Sequence, residues 1–414
     1  MLPEITTKKP LTDICANDLK LFKRVKVSIG LVRRWKERKE AKKKEEQKKK
    51  KGMTPPAQPQ MRESPKIEVR ETRESKEGIM QLYDLPKNSF GLTQCVSLNN
   101  EIVICGGLFN SECYSYHVEK RAYKKICDYP TEIKIFGHIV LQCKNAKEYG
   151  ETMTLLLSIN GYGMQKKSDS KQCHSNHVNE WKLISGNFDN VIGKSAKLNG
   201  ARALIGGKHN NLIFIAGCYP NKIHVIDVAT FKKIKVVNND LPLVHQNLSY
   251  HCFVSKTLHN EVVTNEFLLI VEDLTLSITY NEDAQSFAYA FLPNCLSLKH
   301  CNCFAYVPWQ DFVILLGGYH IIDKTYQSHI HIYHSQQQKW TQSQLTLPTN
   351  FGGGWGVYNH CDTSIHLLGG WDSNGFTHSH YAIKPRELIG VLHKKKTKKL
   401  TFSISLLYYA YKYI

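Results

Sequence analysis

The strongest constraint on this chain is a signal that returns. An apolar or aromatic residue followed by proline occurs at Leu85-Pro86, Tyr129-Pro130, Leu241-Pro242, Leu292-Pro293 and Leu347-Pro348, at intervals of 44, 112, 51 and 55 residues. The interval of 112 divides into two of 56, so five units separate Pro86 from Pro348. Periods of this size mark repeat architectures and govern the fold before any single segment does.

Two further signals keep the same order within the units. An aromatic residue or histidine is followed seven positions later by an aromatic at Tyr116 and Tyr123, His174 and Trp181, Tyr280 and Phe287, and Tyr333 and Trp340. Upstream, an apolar run ends in two glycines: EIVICGG at Glu101 to Gly107, DFVILLGG at Asp311 to Gly318 and SIHLLGG at Ser364 to Gly370. The runs are short, β-branched and aromatic, and no segment has a convincing 3.6-residue apolar period, which predicts an all-β domain. A four-strand unit accounts for the three signals together. Paired glycines allow a backbone conformation and a close approach that a Cβ would obstruct. The aromatic opening the outer strand fills the wedge between neighbouring sheets. Proline ends that strand because it has no N–H for a ladder.

These residues resemble the kelch motif, the repeat of kelch propellers and of the related galactose-oxidase-like propellers. The resemblance spans roughly residues 79–384 and implies six blades. Units one and five carry it best, with Gly106, Gly107, Tyr116 and Tyr123, and with Gly317, Gly318, Tyr333 and Trp340. Unit six keeps Gly369, Gly370 and Tyr381, and unit two keeps Trp181 but has Asn160-Gly161-Tyr162-Gly163 in the diglycine position. Unit three has Ala216-Gly217, and unit four has no glycine after FLLIVED at Phe267 to Asp273. After Tyr381 the chain meets Lys384-Pro385 with no outer strand, whereas IMQLYDLP at Ile79 to Pro86 has the form of one and no three strands before it. The segment 79–86 is therefore expected to close the sixth blade, leaving no sheet edge open.

Charge separates this body from its ends. Residues 1–78 hold 23 Lys and Arg against 12 Asp and Glu, residues 385–414 hold 7 against 1, and the middle holds 25 against 23. The net charge of +19 thus belongs to the ends, and so does any attraction to phosphate or acidic lipid. Residues 1–78 are read as a basic extension and linker, mostly disordered, with any helix falling near 15–51. Residues 32–51 are almost wholly charged and would give a helix no face to bury. Residues 385–414 are read as a basic, then apolar tail. Its final apolar stretch, 400–414, would reach about 22 Å as a helix, short of a ~30 Å bilayer core, so membrane association is not expected. Thirteen cysteines without a CxxC pair fit reduced thiols. Together with the lack of an apolar leader at Met1 to Leu11, they place the protein inside the cell, in the cytoplasm with nuclear entry open.

Chemistry is sparse. The galactose-oxidase-like resemblance implies copper held by Tyr and His, and His329 with His331, like His378 with His380, would share a strand face. These pairs fall in or beside third strands, away from a channel mouth, and no metal or cofactor is expected. Cys301-Asn302-Cys303 is read as part of an inner strand, HCNCFAYV. No phosphate loop, nucleophile elbow or HExxH occurs, so no catalytic residue is assigned. The loops between second and third strands carry Phe109, Tyr319 and Trp371, each just after a glycine turn, and aromatic anchors there would suit a protein partner. The expectation is a non-enzymatic, monomeric protein-interaction module or scaffold. The alternative is a galactose-oxidase-like enzyme or carbohydrate-binding propeller. A second alternative is nucleic-acid association through residues 1–78, although the Lys-rich run 42–51 lacks the interleaved aromatics that stack on bases.

Overall fold

In the computed structural model, residues 78–389 are described except 88–89, 109, 131–136, 149–150, 161–162, 169–180, 184–199, 218–220, 244–247 and 257–264; for 143–148, 151–160, 163–168 and 182–183 the backbone alone is described. The charged extension up to residue 77, including any helix near 15–51, and the tail beyond 389 lie outside the described residues.

The described chain is an all-β propeller in which antiparallel four-strand meanders follow one another, five of them evenly spaced. The first sheet runs Gln94–Leu98, Glu101–Gly107, Asn110–His117 and Ala122–Asp128; the second Ile139–Glu148, Glu151–Asn160, Gly163–Ser168 and Lys182–Leu183. The third holds Arg202–Gly206, Leu212–Ala216, Ile223–Asp227 and Lys233–Ile234, and the fourth Cys252–Ser255, Glu266–Val271, Leu274–Asn281 and Ser286–Leu292. In the fifth are Ala305–Trp309, Phe312–Leu316, Thr325–His334 and Lys339–Phe351. The sixth takes three strands from one end of the chain, Trp355–Asn359, Ser364–Leu368 and His380–Ile383, and its outer strand, Ile79–Gln81, from the other. Ile79 stands opposite Ile383, Met80 opposite Ala382 and Gln81 opposite Tyr381.

Burial explains why the second strands read as unbroken apolar runs. Leu212–Ala216 and Ser364–Leu368 are buried throughout, because a strand in the middle of a stacked sheet is covered on both faces. Outer strands such as Ala122–Asp128 are mostly exposed. The core is divided among the gaps between sheets. Phe214, Phe253 and Phe267 pack between the third and fourth, Cys252, Leu268 and Leu315 between the fourth and fifth, and Ile314, Leu316, Ile365 and Leu367 between the fifth and sixth.

The aromatic pairs seven residues apart are cross-strand partners. Tyr116 faces Tyr123, Tyr280 faces Phe287 and Tyr333 faces Trp340, with ring centroids 4.9, 4.8 and 5.0 Å apart. The first of each pair is buried, and the second reaches for the preceding sheet. Trp181 of the second sheet donates its indole N–H to Cys113 Sγ of the first at 3.4 Å and stacks on Tyr129 at 4.5 Å. The Tyr123 hydroxyl lies 3.1 Å from the Tyr83 carbonyl, at the junction with the sixth sheet. His174, expected to partner Trp181, lies outside the described residues.

Two expectations need correction. The packed chain does not stop at 384: residues 385–389 are helical, and Leu388 and Ile389 are buried in the core between the fifth and sixth sheets. Proline suits the first turn of a helix, where its missing N–H costs nothing, so Lys384-Pro385 begins an element there instead of a tail. The segment Cys301–Cys303 is also separate from the inner strand, which starts at Ala305. Cys301–Asn302 pairs instead with Tyr319–His320, which pairs in turn with Thr325 and Tyr326. Positive φ at Cys303, 54°, turns the chain between the two pieces.

Candidate functional site

That small added sheet builds one wall of the candidate site. The third strand of the fifth sheet outruns the second: His334 to Ile330 pairs with Phe312–Leu316, and Tyr326 and Thr325 continue past it to pair with Tyr319 and His320. The fourth strand, Lys339–Phe351, runs equally far. The departure point is the diglycine. Gly317 and Gly318 have φ of 63° and 123°, and the Gly318 N–H donates to the Phe351 carbonyl at 2.8 Å. At the next diglycine, Gly370 has φ of 98°, and its N–H donates to the Phe90 carbonyl at 3.2 Å. Each diglycine therefore fastens a sheet to the segment leading into the next, and a Cβ on its first glycine would stand 2.5 Å from the Phe351 carbonyl oxygen at Gly317 and closer still to that of Phe90 at Gly369. After Gly370 the chain forms a two-residue hairpin, Trp371–Asp372 with Gly375–Phe376.

Between these extensions lies a cleft of about 400 Å³. Tyr319, Lys324, Thr325 and Tyr326 line it from the fifth-sheet extension, Asn350 from the fourth strand, and Asp372 and Ser373 from the hairpin. The rings of Tyr319 and Tyr326 lie 5.0 Å apart at 52°. Burial first, and then the neighbouring Tyr319, Cys303 and Asp372, push the Tyr326 phenol up to about 12, so it is a neutral hydroxyl at physiological pH. His320 Nδ1 accepts from the Asp323 backbone N–H at 3.2 Å, which shapes the turn beside the cleft. On that turn Ile322 is 62 % exposed and Ile321 36 %. The arrangement offers two aromatic faces, an ammonium, a carboxylate and several hydroxyl or amide groups beside exposed aliphatic surface. Among the described residues that line it there is no nucleophile paired with a base.

Of the three expected anchors, Tyr319 lines the cleft and Phe109 lies outside the described residues. Trp371 is half-buried and is not among the residues that line the cleft. Its ring lies 5.8 Å from that of Phe376 and fills the space where a Cβ on Gly91 or Gly353 would stand. Tyr326, Lys324, Asp372 and Ile322 were not singled out by sequence. For Tyr326, Lys324 and Ile322 the signal was the length of the insert between Gly318 and His329, which is longer than a tight hairpin needs. Gly106, Gly107, Tyr116, Tyr123, Gly369 and Tyr381 all fall in or directly after strands of the first and sixth sheets, as framework.

Where the inner strands converge, a single cation gathers side chains from several sheets. Arg202 is 6 % exposed and donates from Nε to the His251 carbonyl at 3.2 Å. Its guanidinium carbon lies 5.0 Å from the Trp355 ring and 5.8 Å from those of Tyr250 and Tyr306. Trp355 in turn donates to the Cys95 carbonyl at 3.0 Å. Guanidinium over aromatic faces contributes about 0.5–2 kcal/mol per contact. His329 and His331 have rings 6.3 Å apart, and burial lowers His331 to about 4. Among the described residues no group of three or more His, Cys, Asp or Glu is placed to hold a metal, and no helix is long and apolar enough to cross a membrane.

No protein-family model and no curated protein matches the chain. Among solved structures it is similar to the "Structure of YjhT", at 13% identity over 72% of this chain and 95% of that one, with a TM-score of 0.48.

Proposed function

We propose that residues 79–384 form a six-bladed kelch-type ring, closed by residues 79–86, and that the ring is a non-enzymatic module binding a protein partner at the cleft between the extensions of its fifth and sixth blades. Support for six comes from the inner strands. The first neighbours the second and the sixth, the third neighbours the second and the fourth, and the fifth neighbours the sixth. Tyr306 of the fifth reaches the Phe253 backbone of the fourth, and Arg202 gathers aromatic rings from sheets four, five and six.

One observation carries the binding site: the cleft combines a tyrosine pair with an aliphatic rim, where Ile322 is 62 % exposed. Rigid aromatic surface beside an apolar patch is what dominates binding energy at protein interfaces. The test is proximity labelling and affinity capture from cells with full-length protein, repeated with Ile322→Asp and Tyr326→Ala. Partners lost with both variants support the reading, and a partner set indifferent to both abandons it.

A second reading rests on the same cleft. Two tyrosine faces among Lys324, Asn350, Asp372 and Ser373 also suit a sugar, which stacks on aromatic rings and exchanges many hydrogen bonds. Saturable binding on a glycan array, abolished by Tyr326→Ala, would favour a carbohydrate-binding propeller, and stoichiometric copper in the purified protein would favour an oxidase. Nucleic-acid association through residues 1–78 would show itself as affinity that falls steeply with salt and disappears when those residues are deleted. The proposal takes the protein as an intracellular monomer without a cofactor.

A further inference from the structure

Where the sixth sheet meets its borrowed strand and the first sheet, four side chains form one hydrogen-bonded line. Asp362 Oδ2 lies 2.9 Å from His366 Nε2, His366 Nδ1 lies 2.8 Å from His380 Nε2, and His380 Nδ1 lies 2.6 Å from the Tyr123 hydroxyl. That hydroxyl is also 3.1 Å from the Tyr83 carbonyl. His366 sits on the second strand of the sixth sheet and His380 on its third; Tyr123 opens the outer strand of the first sheet, and Tyr83 follows the closing strand by two residues. Both imidazoles are buried, His366 at 1 % and His380 at 0 % exposure.

Counting protons along the line shows what it can do. With Asp362 ionised, the neutral His366 carries its hydrogen on Nε2, which leaves Nδ1 as an acceptor. His380 must then carry its hydrogen on Nε2, and its Nδ1 accepts the single proton of Tyr123. Every ring nitrogen is satisfied, and the Tyr83 carbonyl goes without this hydroxyl. One added proton enters at His380 Nδ1, and passage of the His380 Nε2 proton to His366 Nδ1 would set the charge beside Asp362; in both arrangements His380 Nδ1 carries a hydrogen. Tyr123 then accepts from His380 and turns its hydrogen to Tyr83. The line thus has two complete states one proton apart, and they differ in which segment Tyr123 serves.

The surroundings favour the neutral state. Asp362, the one carboxylate in the line, is at the far end from His380. The Tyr116 ring stands edge-on to His380 at 4.6 Å, and Lys384 Nζ bonds the Asp362 carbonyl oxygen. Arg121 acts on Tyr116 and Asp84 on Tyr123, while Asp84 is itself paired with the exposed His378 at 3.0 Å. A charge buried this way costs more than one hydrogen bond to a carbonyl returns. We propose that the Asp362–His366–His380–Tyr123 line is a proton-sensitive clasp on ring closure, and that uptake of one proton by the histidine pair loosens the joint between the closing segment, the sixth sheet and the first. Burial, and after it the neighbouring His366, holds His380 well below the usual imidazole range. The clasp is therefore fully effective above the unfolded imidazole value, ~6.5, and weakens as pH falls below it. The joint is also short: the closing strand pairs over Ile79–Gln81 alone, against Ser286–Leu292 for the outer strand of the fourth sheet.

Amide hydrogen exchange on the full-length protein between pH 7 and pH 5, corrected for intrinsic rates, tests this. The Leu82 N–H, bonded to the His380 carbonyl at 2.8 Å, and the amides of Tyr381–Ile383 are expected to open up to about tenfold more per pH unit below ~6.5, the limit for one linked proton. Amides of Phe287–Leu292, whose joint contains no histidine, register the general acid loosening of the domain, and the closing joint should lose protection more steeply than they do. His380→Gln retains an acceptor for Tyr123 and a donor for His366 but takes up no proton, so the joint should lose protection no more steeply than Phe287–Leu292. Should that variant fail to fold, His380→Asn, which likewise carries an amide and takes up no proton, has the same expectation. A joint no steeper than the fourth sheet in the unmodified protein, or as steep in the amide variant as without it, overturns the clasp.

Discussion

The indole Nε1–H of Trp340 donates to the Pro293 carbonyl at 2.9 Å and lies 3.2 Å from Thr275 Oγ1, so an outer-strand residue of the fifth sheet holds the end of the outer strand of the fourth. The ring fills the gap while the N–H satisfies a carbonyl that proline, having ended its strand, leaves without a ladder partner. Trp340→Phe keeps most of the ring and removes the donor, and should cost about 1 kcal/mol. Trp340→Ala also opens a cavity against Tyr333 and should cost about 2–4 kcal/mol. Midpoints of urea denaturation at constant slope measure both.

Two glycines separate strain from collision. Gly370 and Gly375 both have positive φ, 98° and 124°. A Cβ on Gly370 would stand 2.6 Å from the Gly352 carbonyl oxygen and 2.8 Å from the Gly354 nitrogen, whereas one on Gly375 meets nothing within 4 Å. Gly375→Ala should therefore cost about 1–2 kcal/mol of backbone strain, and Gly370→Ala distinctly more, with the same denaturation measurement as the check.

Acid should destabilise the whole domain as well as its seam. Burial lowers His138, His224 and His331 to about 4, and holds His251 well down. A base whose folded value is depressed gives stability that is complete above ~6.5 and lost as pH falls towards the folded value. Denaturation midpoints should be level from pH 7 to 8 and fall below pH 6.5. His138 lies 2.9 Å from the Cys105 carbonyl, a bond that the amide of glutamine can also donate, so His138→Gln should make that fall shallower.

The closing strand should be indispensable where the leader is not. A chain beginning at residue 78 retains Ile79–Gln81 against Tyr381–Ile383, and one beginning at residue 87 exposes His380–Ile383 as a bare edge. The shorter chain should melt at lower temperature and scatter light at concentrations where the longer one stays clear, because an unpaired edge templates association.

At the cleft, Ile322→Asp touches an exposed side chain and should leave stability within about 0.5 kcal/mol. Partner binding should fall at least tenfold, read by titration calorimetry once a partner is in hand.

Much of the framework was legible in the chain because its signals are local and repeat. Tyr116 with Tyr123 and Tyr333 with Trp340 are seven apart because two antiparallel strands joined by a tight turn bring those positions opposite each other. Unbroken apolar runs such as Leu212–Ala216 announced strands covered on both faces. The cleft was half legible. Tyr319 could be named from its place after Gly318, but Trp371 occupies the same sequence position after Gly370 and packs instead over Gly91 and Gly353. What separates the two is the space at Gly91 and Gly353, contributed by distant parts of the chain.

By itself the sequence determined the strand unit, its turns and the charge divide between body and ends, since propensity, periodicity and proline act over a few neighbouring residues. The pairing of the segment at Ile79 with the strand around Tyr381 was expected from the sequence, whereas tertiary structure alone decided that Arg202 is wrapped by Tyr250, Tyr306 and Trp355, and that Asp362, His366, His380 and Tyr123 share one line. Apart from Asp362 and His366, four positions apart, those partners are separated by tens to hundreds of positions. They meet only when the sheets stack and side chains compete for the same small volume, and no local pattern encodes the outcome of that competition.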